Sequence, residues 1–225
     1  MRGSEDSWAP LPAAPLLHGH EVHVVRVALG VEPLHASRLL SAEEAGRARA
    51  LRSPEHRRRF VTAHGWLREV LGRYVGAAPE SLWFTRSEDG KPSLVDPRGG
   101  EAGLRFNLSH SGEVGLIAIG RGREVGVDVE EIKARRDVVG LARRALEPAA
   151  ARELEGLGVE ERVAGFHRLW ARHEARLKCL GSGLTGSPRA GSLQVFDLDA
   201  GAGYAAAVAV EGEGETALSR FAAGG

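Results

Sequence analysis

The stretch from Trp170 to Lys178 joins an apolar helix face to one acid and one base. On a helical wheel its large apolar residues gather on one side, and Glu174 and Lys178 lie one turn apart between that side and a line of arginines. Glu and Lys at positions i and i+4 form an ordinary surface pair worth about 0.3 kcal/mol, so this helix alone indicates no activity. A functional role for the pair requires charged partners elsewhere in the chain.

The run from Gly126 to Glu131 alternates apolar and acidic side chains. On a strand, Asp128 and Glu130 would point to one face and the valines beside them to the other. Two carboxylates on one face repel each other unless a cation lies between them, and hard oxygen ligands of this kind suit Mg²⁺. On this pattern alone, a strand end whose acids face solvent remains the simpler interpretation.

Three other segments contain side chains that could bind phosphate. Residues 106–112 end an apolar strand with hydrogen-bonding groups, and among them Ser109 and His110 could donate to phosphate oxygens. Lys91 is held in a stiff turn between a glycine and a proline, and residues 57–59 place three arginines at the start of a long helix. Each segment also has a plain structural interpretation, either a turn that satisfies its own backbone or a solvated helix face.

The composition restricts the classes of protein to which the chain can belong. Its 225 residues, 43% of them hydrophobic, are enough for one large domain or two small ones with a packed core. Thirty basic and thirty acidic residues give no formal net charge, which argues against a general nucleic-acid or membrane-surface binder. The single cysteine, Cys179, excludes an internal disulfide framework and a cysteine zinc site, so a cytoplasmic location is expected.

Neither a secretion signal nor a membrane span is predicted. The amino terminus has acids and prolines where a signal peptide needs a basic start and an uninterrupted apolar run. The longest apolar run, residues 204–210, is far shorter than the ~20 residues that span a bilayer.

Cap signals and hydrophobic periodicity predict the elements that position these residues. Residues 21–29 are typical of a strand, and Ser41 with Glu44 fits a helix-starting capping box. Ser53, followed by a proline, begins a long helix that reaches about Tyr74. Further strands are predicted at residues 82–85, 92–95, 104–108, 114–119, 124–129, 192–198, 204–210 and 216–221, and helices within residues 137–157 and 159–180.

This order predicts an α+β fold in two halves, each a small antiparallel sheet packed by a long helix. Residues 1–20 form a poorly ordered or extended lead, residues 21–121 an N-terminal subdomain and residues 122–225 a C-terminal subdomain, with the junction near Gly120–Gly122.

Taken in order, the motifs resemble those of the Sfp-type 4′-phosphopantetheinyl transferases. Gly-Lys-Pro at residues 90–92 is followed by F-N-x-S-H, G-x-D-x-E, W-x-x-x-E-A-x-x-K and finally G-x-G-L at residues 181–184, and the resemblance covers about Arg47 to Leu184. It implies a pseudo-dimer of two similar subdomains with coenzyme A in the cleft between them. It also implies Mg²⁺-dependent transfer of the 4′-phosphopantetheine group to a serine of an apo acyl or peptidyl carrier protein, with release of 3′,5′-ADP.

The resemblance also implies roles for single residues. Asp128, Glu130 and Glu174 match the acidic positions around Mg²⁺, for which Mn²⁺ can substitute. Glu174 then acts as base toward the serine hydroxyl and Lys178 contacts the pyrophosphate, which makes these two the catalytic pair. The remaining coenzyme A contacts are Arg47, Arg57, His64, Lys91, Ser109 and His110.

Two histidines depart from the family pattern. His173 stands where the family usually has lysine, and His64 stands where it often has arginine, one turn before Arg68. Both histidines place a titratable group near the expected phosphates. Above about pH 7 this protein should therefore bind coenzyme A more weakly than a variant with lysine and arginine at these positions.

The sequence leaves two other functions open. One is a coenzyme A-binding homologue with weak or lost transferase activity, and the other is a Mg²⁺-dependent nucleotide hydrolase, although the chain lacks a long phosphate-binding glycine loop. The expected partners are coenzyme A and carrier domains, without nucleic acid or membrane, and a monomer is expected. The basic run from Lys133 to Arg144 is either a carrier-docking surface or a solvated helix face.

Overall fold

A computed structural model describes residues 8–31, 36–87, 90–95, 103–181 and 192–223, which form a mixed α+β fold. Residues 182–184 of the G-x-G-L motif lie outside the described residues. The helices are α1 (Ala36–Leu39), α2 (Ala42–Ala50), α3 (Pro54–Val75), α4 (Val138–Ala145), α5 (Pro148–Glu155) and α6 (Arg162–Leu180), with a 3₁₀ turn at Pro79–Ser81. The strands are β1 (Ala9–Pro10), β2 (Glu21–Ala28), β3 (Trp83–Arg86), β4 (Pro92–Val95), β5 (Leu104–Ser111), β6 (Val114–Arg121), β7 (Val125–Glu131), β8 (Leu193–Leu198), β9 (Tyr204–Glu211) and β10 (Ala217–Ala223).

The strands form three sheets. The largest has five strands in the order β1-β10-β2-β6-β5, a second has the order β7-β9-β8, and β3 pairs with β4 alone. β10 runs parallel to both β2 and β1, so the prediction of an antiparallel sheet is wrong for the five-stranded sheet. Parallel neighbouring strands need a long crossover connection, and here nearly the whole chain separates β2 from β10. Local periodicity in the sequence does not indicate a pairing between such distant segments.

The two larger sheets and two long helices stack in four layers. Val25 and Val27 of β2 join the core beneath α3, whereas Val22 and Val24 join the core between the sheets. The strand β9 alternates in the same way, with Ala207 and Ala209 packed against α6 and its valines packed between the sheets. This period of two residues is what buries both faces of each sheet.

Local signals define the ends of the helices that carry the predicted site residues. Ser41 and Glu44 form the predicted capping box, since each side chain bonds the backbone N–H of the other residue. α6 ends at Gly181, whose φ of 70° lies in the left-handed region that favours glycine. No helix within the described residues combines the length and the apolar content needed to cross a membrane.

The amino-terminal lead is extended from Trp8 onward and packs against the five-stranded sheet. Its short strand β1 pairs with β10, and Leu11 and Leu17 are buried. The first seven residues lie outside the described part of the chain.

Candidate functional site

The strand β7 presents its acids to α6, as its alternation predicts. Val127 and Val129 are buried between the two sheets, so Asp128 and Glu130 point to the opposite face. A Cβ on Gly126 would overlap the backbone of α6, which means that the strand and the helix meet at van der Waals contact here. This contact brings the acids of β7 close to the charged end of the helix.

Lys178 joins three predicted site residues from three elements. Its Nζ donates to Asp128 Oδ1 over 2.6 Å and to Ser109 Oγ over 3.0 Å. Ser109 Oγ in turn donates to the same carboxylate oxygen over 2.8 Å. The side chain of Asp128 is only 4% exposed, whereas that of Lys178 is 30% exposed, so the ammonium also reaches solvent.

The carboxylates of β7 and α6 act on one another electrostatically. Partial burial raises the pKa of Glu130, and the charges of Asp128 and Glu174 raise it further, against the opposing charges of Lys178 and Arg135. Asp128 Oδ2 is buried and has no hydrogen-bond partner among the described residues. The raised pKa of Glu130 and the orphaned carboxylate oxygen of Asp128 both fit a divalent cation at this point.

The predicted metal ligands do not yet converge as a closed ligand set. Within the described residues, no three His, Cys, Asp or Glu side chains are placed to hold a metal ion together. Asp128 Oδ1 instead accepts from the ammonium of Lys178. The three carboxylates thus suit a hard cation in chemical type and charge, but within the described residues they are not placed to hold one together.

His110 lies in a cationic environment beside this group. Its ring is exposed at the surface, yet the protein atoms behind it and the charges of His64, Lys178 and Arg59 lower its pKa from 6.5. His56 adds to the same effect. Several cations directed at one point favour an anion. The sequence singled out Arg57 from the arginines at residues 57–59 and did not single out Arg59 or His56, because periodicity does not show which side of a helix lies near His110.

A cavity of about 340 Å³ lies next to the site in the first half of the chain. Two predicted coenzyme A contacts, Arg47 and His64, line it, and it is also lined by Arg86 and by Asn107. Arg57 does not line it, and its guanidinium donates to the backbone oxygen of Leu51 over 2.9 Å. Apolar walls with several cations are typical of a nucleotide pocket.

His64 is held in place by neighbouring side chains. Its Nδ1 donates to Glu44 Oε1 over 3.1 Å, and its ring stacks on Phe60. Burial alone would raise the pKa of Glu44, but bonds from His64 and the Ser41 N–H, together with Arg68, lower it to about 2. His64 therefore contributes to a buried polar network at the wall of the cavity.

Lys91 does not present its ammonium to the cavity. Its Nζ donates to Glu124 Oε2 over 2.7 Å, to the backbone oxygen of Cys179 over 3.0 Å and to that of Val125 over 3.1 Å. Three acceptors use all three hydrogens of an ammonium group. The geometry thus gives Lys91 a structural bond network, and the nucleotide contact expected from the sequence stays a prediction.

His173 lies at a different cavity from the one that Arg47 and His64 line. It contacts Trp170 and lines a separate cavity between α5 and α6, together with Arg172 and Arg176. Successive residues of a helix point about 100° apart, so a neighbour of Glu174 faces another side of α6. The expectation that His173 affects phosphate binding stays a prediction, and its side chain points to a different side of the helix from that of Glu174.

The basic run after β7 is partly engaged within the protein. Arg143 pairs with Glu155 over 2.7 Å, Lys133 pairs with Glu131 over 2.9 Å, and Arg135 lies over the ring of Phe166. A docking role for this run remains a prediction.

Two family models match the chain, one in each half. Residues 31–121 match the model described as 4′-phosphopantetheinyl transferase, N-terminal, and residues 124–221 match the 4′-phosphopantetheinyl transferase superfamily.

Individual relatives agree with these matches. The 4′-phosphopantetheinyl transferase HetI of Nostoc sp. is 38% identical over 80% of this chain and 77% of its own length. A putative 4′-phosphopantetheinyl transferase of Synechocystis sp. is 37% identical over 66% of this chain, although the chain spans only 59% of that protein. The 4′-phosphopantetheinyl transferase Sfp of Bacillus subtilis is 29% identical over 68% of this chain and 70% of its own length.

Proposed function

Because the chain belongs to the 4′-phosphopantetheinyl transferase superfamily and is an enzyme of that class, we propose that it transfers 4′-phosphopantetheine from coenzyme A to a serine of an apo acyl or peptidyl carrier protein. The observation that carries the proposal is the meeting of Ser109, Asp128 and Lys178, which joins three of the sequence motifs at one point. The second product is 3′,5′-ADP.

The proposal includes a cleft between two similar halves. In support, α3 packs on the five-stranded sheet and α6 packs on the three-stranded sheet, with the candidate site where β5, β7 and α6 meet. The crossover of β10 into the first sheet ties the halves together.

The cavity beside His64 is the proposed nucleotide site of coenzyme A. Arg47, Arg86 and His64 line it together with Glu43 and Glu44, which pair with Arg86 and His64. Arg47 is therefore the proposed main phosphate contact in the cavity, with the exposed His110 near His64. Lys178 bonds Ser109, which follows the cavity-lining Asn107 on the same strand, and its partly exposed ammonium can reach a pyrophosphate there.

The reaction needs one bond to form and one to break. The serine oxygen attacks the β-phosphorus of coenzyme A, the bond from that phosphorus to the 3′,5′-ADP oxygen breaks, and the serine proton passes to Glu174 directly or through water. Lys178 stabilises the negative charge that shifts onto the leaving group. Mg²⁺ held by Asp128, Glu130 and Glu174 would neutralise pyrophosphate charge when bound.

The first prediction concerns the catalytic pair. We expect Lys178→Ala and Glu174→Ala each to lose about 4 kcal/mol of transition-state stabilisation, about a 10³-fold lower rate, because each removes a charged contact at the reacting centre. Mass spectrometry of an apo carrier incubated with coenzyme A and Mg²⁺ measures the gain of one phosphopantetheine group.

Arg176→Ala is the matched control, since Arg176 is an exposed residue on another face of α6 and should leave the rate unchanged. Near wild-type transfer by either alanine variant would contradict the site assignment. Coenzyme A binding without carrier modification by the wild type would instead favour a homologue that has lost activity, and consumption of coenzyme A without modification would favour a hydrolase.

A further inference from the structure

The strands β5 and β7 are edge strands of different sheets that lie side by side at the candidate site. Both strands are fully described, and within them no backbone ladder joins one to the other. An edge strand carries unpaired N–H groups, and such groups need partners where they are buried. The contact between the sheets must therefore satisfy these groups by other means.

Alternate side chains of β5 supply the missing partners. Asn107 Oδ1 accepts from the backbone N–H of Val127 over 2.9 Å, and Ser111 Oγ accepts from the backbone N–H of Glu131 over 3.0 Å. Between them, Ser109 Oγ donates to the Asp128 side chain. The three residues are two apart, so they share one face of the strand.

The two backbone contacts fix how β7 lies along β5. Asn107 and Val127 are 20 residues apart in sequence, and so are Ser111 and Glu131. A constant separation means that the strands run parallel and keep one register over this length. A slip of one residue would turn Asp128 and Glu130 toward the intersheet core, because strand side chains alternate in direction.

We propose that Asn107 and Ser111 are positioning residues for the metal ligands of this enzyme. Their side-chain oxygens hold β7 in the register that directs Asp128 and Glu130 to α6, while Gly126 allows the close approach of that helix. This inference rests on the proposed function, since it concerns the acids that hold Mg²⁺ there. It gives Asn107 and Ser111, the first and last polar residues of F-N-L-S-H-S, a role distinct from phosphate binding.

The test compares variants that remove or keep each acceptor. Asn107→Leu removes the amide oxygen at similar size and Asn107→Asp keeps an oxygen there, while Ser111→Ala removes the hydroxyl and Ser111→Thr keeps it. Mn²⁺ is titrated into each protein with coenzyme A present and followed by electron paramagnetic resonance. We expect about 10-fold weaker Mn²⁺ binding for Asn107→Leu and Ser111→Ala, with affinity within about 2-fold of wild type for Asn107→Asp and Ser111→Thr.

A control separates positioning from general stability. Ser81→Ala removes an exposed hydrogen bond of 2.7 Å to the Ala78 oxygen, far from this contact, and should leave Mn²⁺ binding unchanged. The proposal would be overturned if Asn107→Leu and Ser111→Ala both bound Mn²⁺ with wild-type affinity, even if both variants were less stable. It would also be overturned if the wild-type protein did not bind Mn²⁺. Mn²⁺ binding that ranks the variants as expected, without carrier modification by the wild type, would support these positioning roles and count only against the proposed transferase activity.

Discussion

Glu130 is a half-buried carboxylate that lies near two others. Its pKa is raised by burial and by the charges of Asp128 and Glu174, so its ionised form is less favourable in the folded chain than in the unfolded chain. A group with a raised folded pKa stabilises the protein only below its unfolded value of about 4.5. Its contribution is lost as the pH rises through the folded pKa, and a bound cation would restore it.

Replacing Glu130 with Gln should therefore stabilise the protein when a chelator removes divalent cations. We expect a gain of about 1 kcal/mol at about pH 7, because the residue is only half-buried, and a smaller gain at about pH 4. Denaturant unfolding at each pH measures it. The same variant should lose carrier modification and should be stabilised less by Mg²⁺ with coenzyme A.

Glu131→Gln is the control for this prediction, since Glu131 pairs with Lys133 at the surface and should not gain stability on losing its charge. If Glu130→Gln were less stable than wild type at neutral pH, carboxylate repulsion would not dominate at Glu130.

At the scale of elements, Glu44 links α2 to α3. Sequence patterns predict its capping role, because a capping box is a local arrangement three residues long. The structure adds a partner that is distant in sequence: Glu44 accepts from the guanidinium of Arg68, which is 1% exposed and also donates to two backbone oxygens. Only tertiary packing brings these two charges together.

Changing Glu44 to Gln should destabilise the fold by about 3 kcal/mol at neutral pH, because Arg68 is left with a buried, unpaired charge. The folded pKa of Glu44 is about 2, below the ordinary 4.5, so its contribution is present above about pH 4.5 and is lost as the pH falls toward 2. Unfolding measured at neutral and acidic pH should show the two proteins converging in acid. Glu43→Gln, at an exposed ion pair with Arg86, should change little, and equal losses in both variants would contradict the special role of Glu44.

At the scale of the molecule, patterns with a short sequence range were predicted well and contacts between distant segments were not. The two long helices, the strand order along the chain and the faces of β7 follow from caps and periodicity. Caps and periodicity do not predict the parallel pairing of β10 with β2 or the hydrogen bonds of Lys91. The direction of a strand relative to its neighbour and the partners of a long side chain depend on other segments of the chain. For the same reason the hydrogen bond of Ser109 to Asp128 was not predicted, whereas its expected phosphate contact stays a prediction.

Replacing Lys91 would distinguish a structural role of the G-K-P turn from a ligand-binding role. Its ammonium ties the start of β4 to Glu124, to Val125 at the start of β7 and to Cys179 near the end of α6, so it joins both halves of the chain. We expect Lys91→Met to lower the free energy of unfolding by about 2 kcal/mol, since it leaves partly buried acceptors without a charged donor. The Michaelis constant for coenzyme A should stay within about 2-fold of wild type, because no phosphate contact is lost.

Glu124→Gln, which weakens ion pairs to Lys91 and Arg105, should reproduce the loss of stability. A large rise in the Michaelis constant with unchanged stability would instead show that the lysine leaves this network to bind the nucleotide.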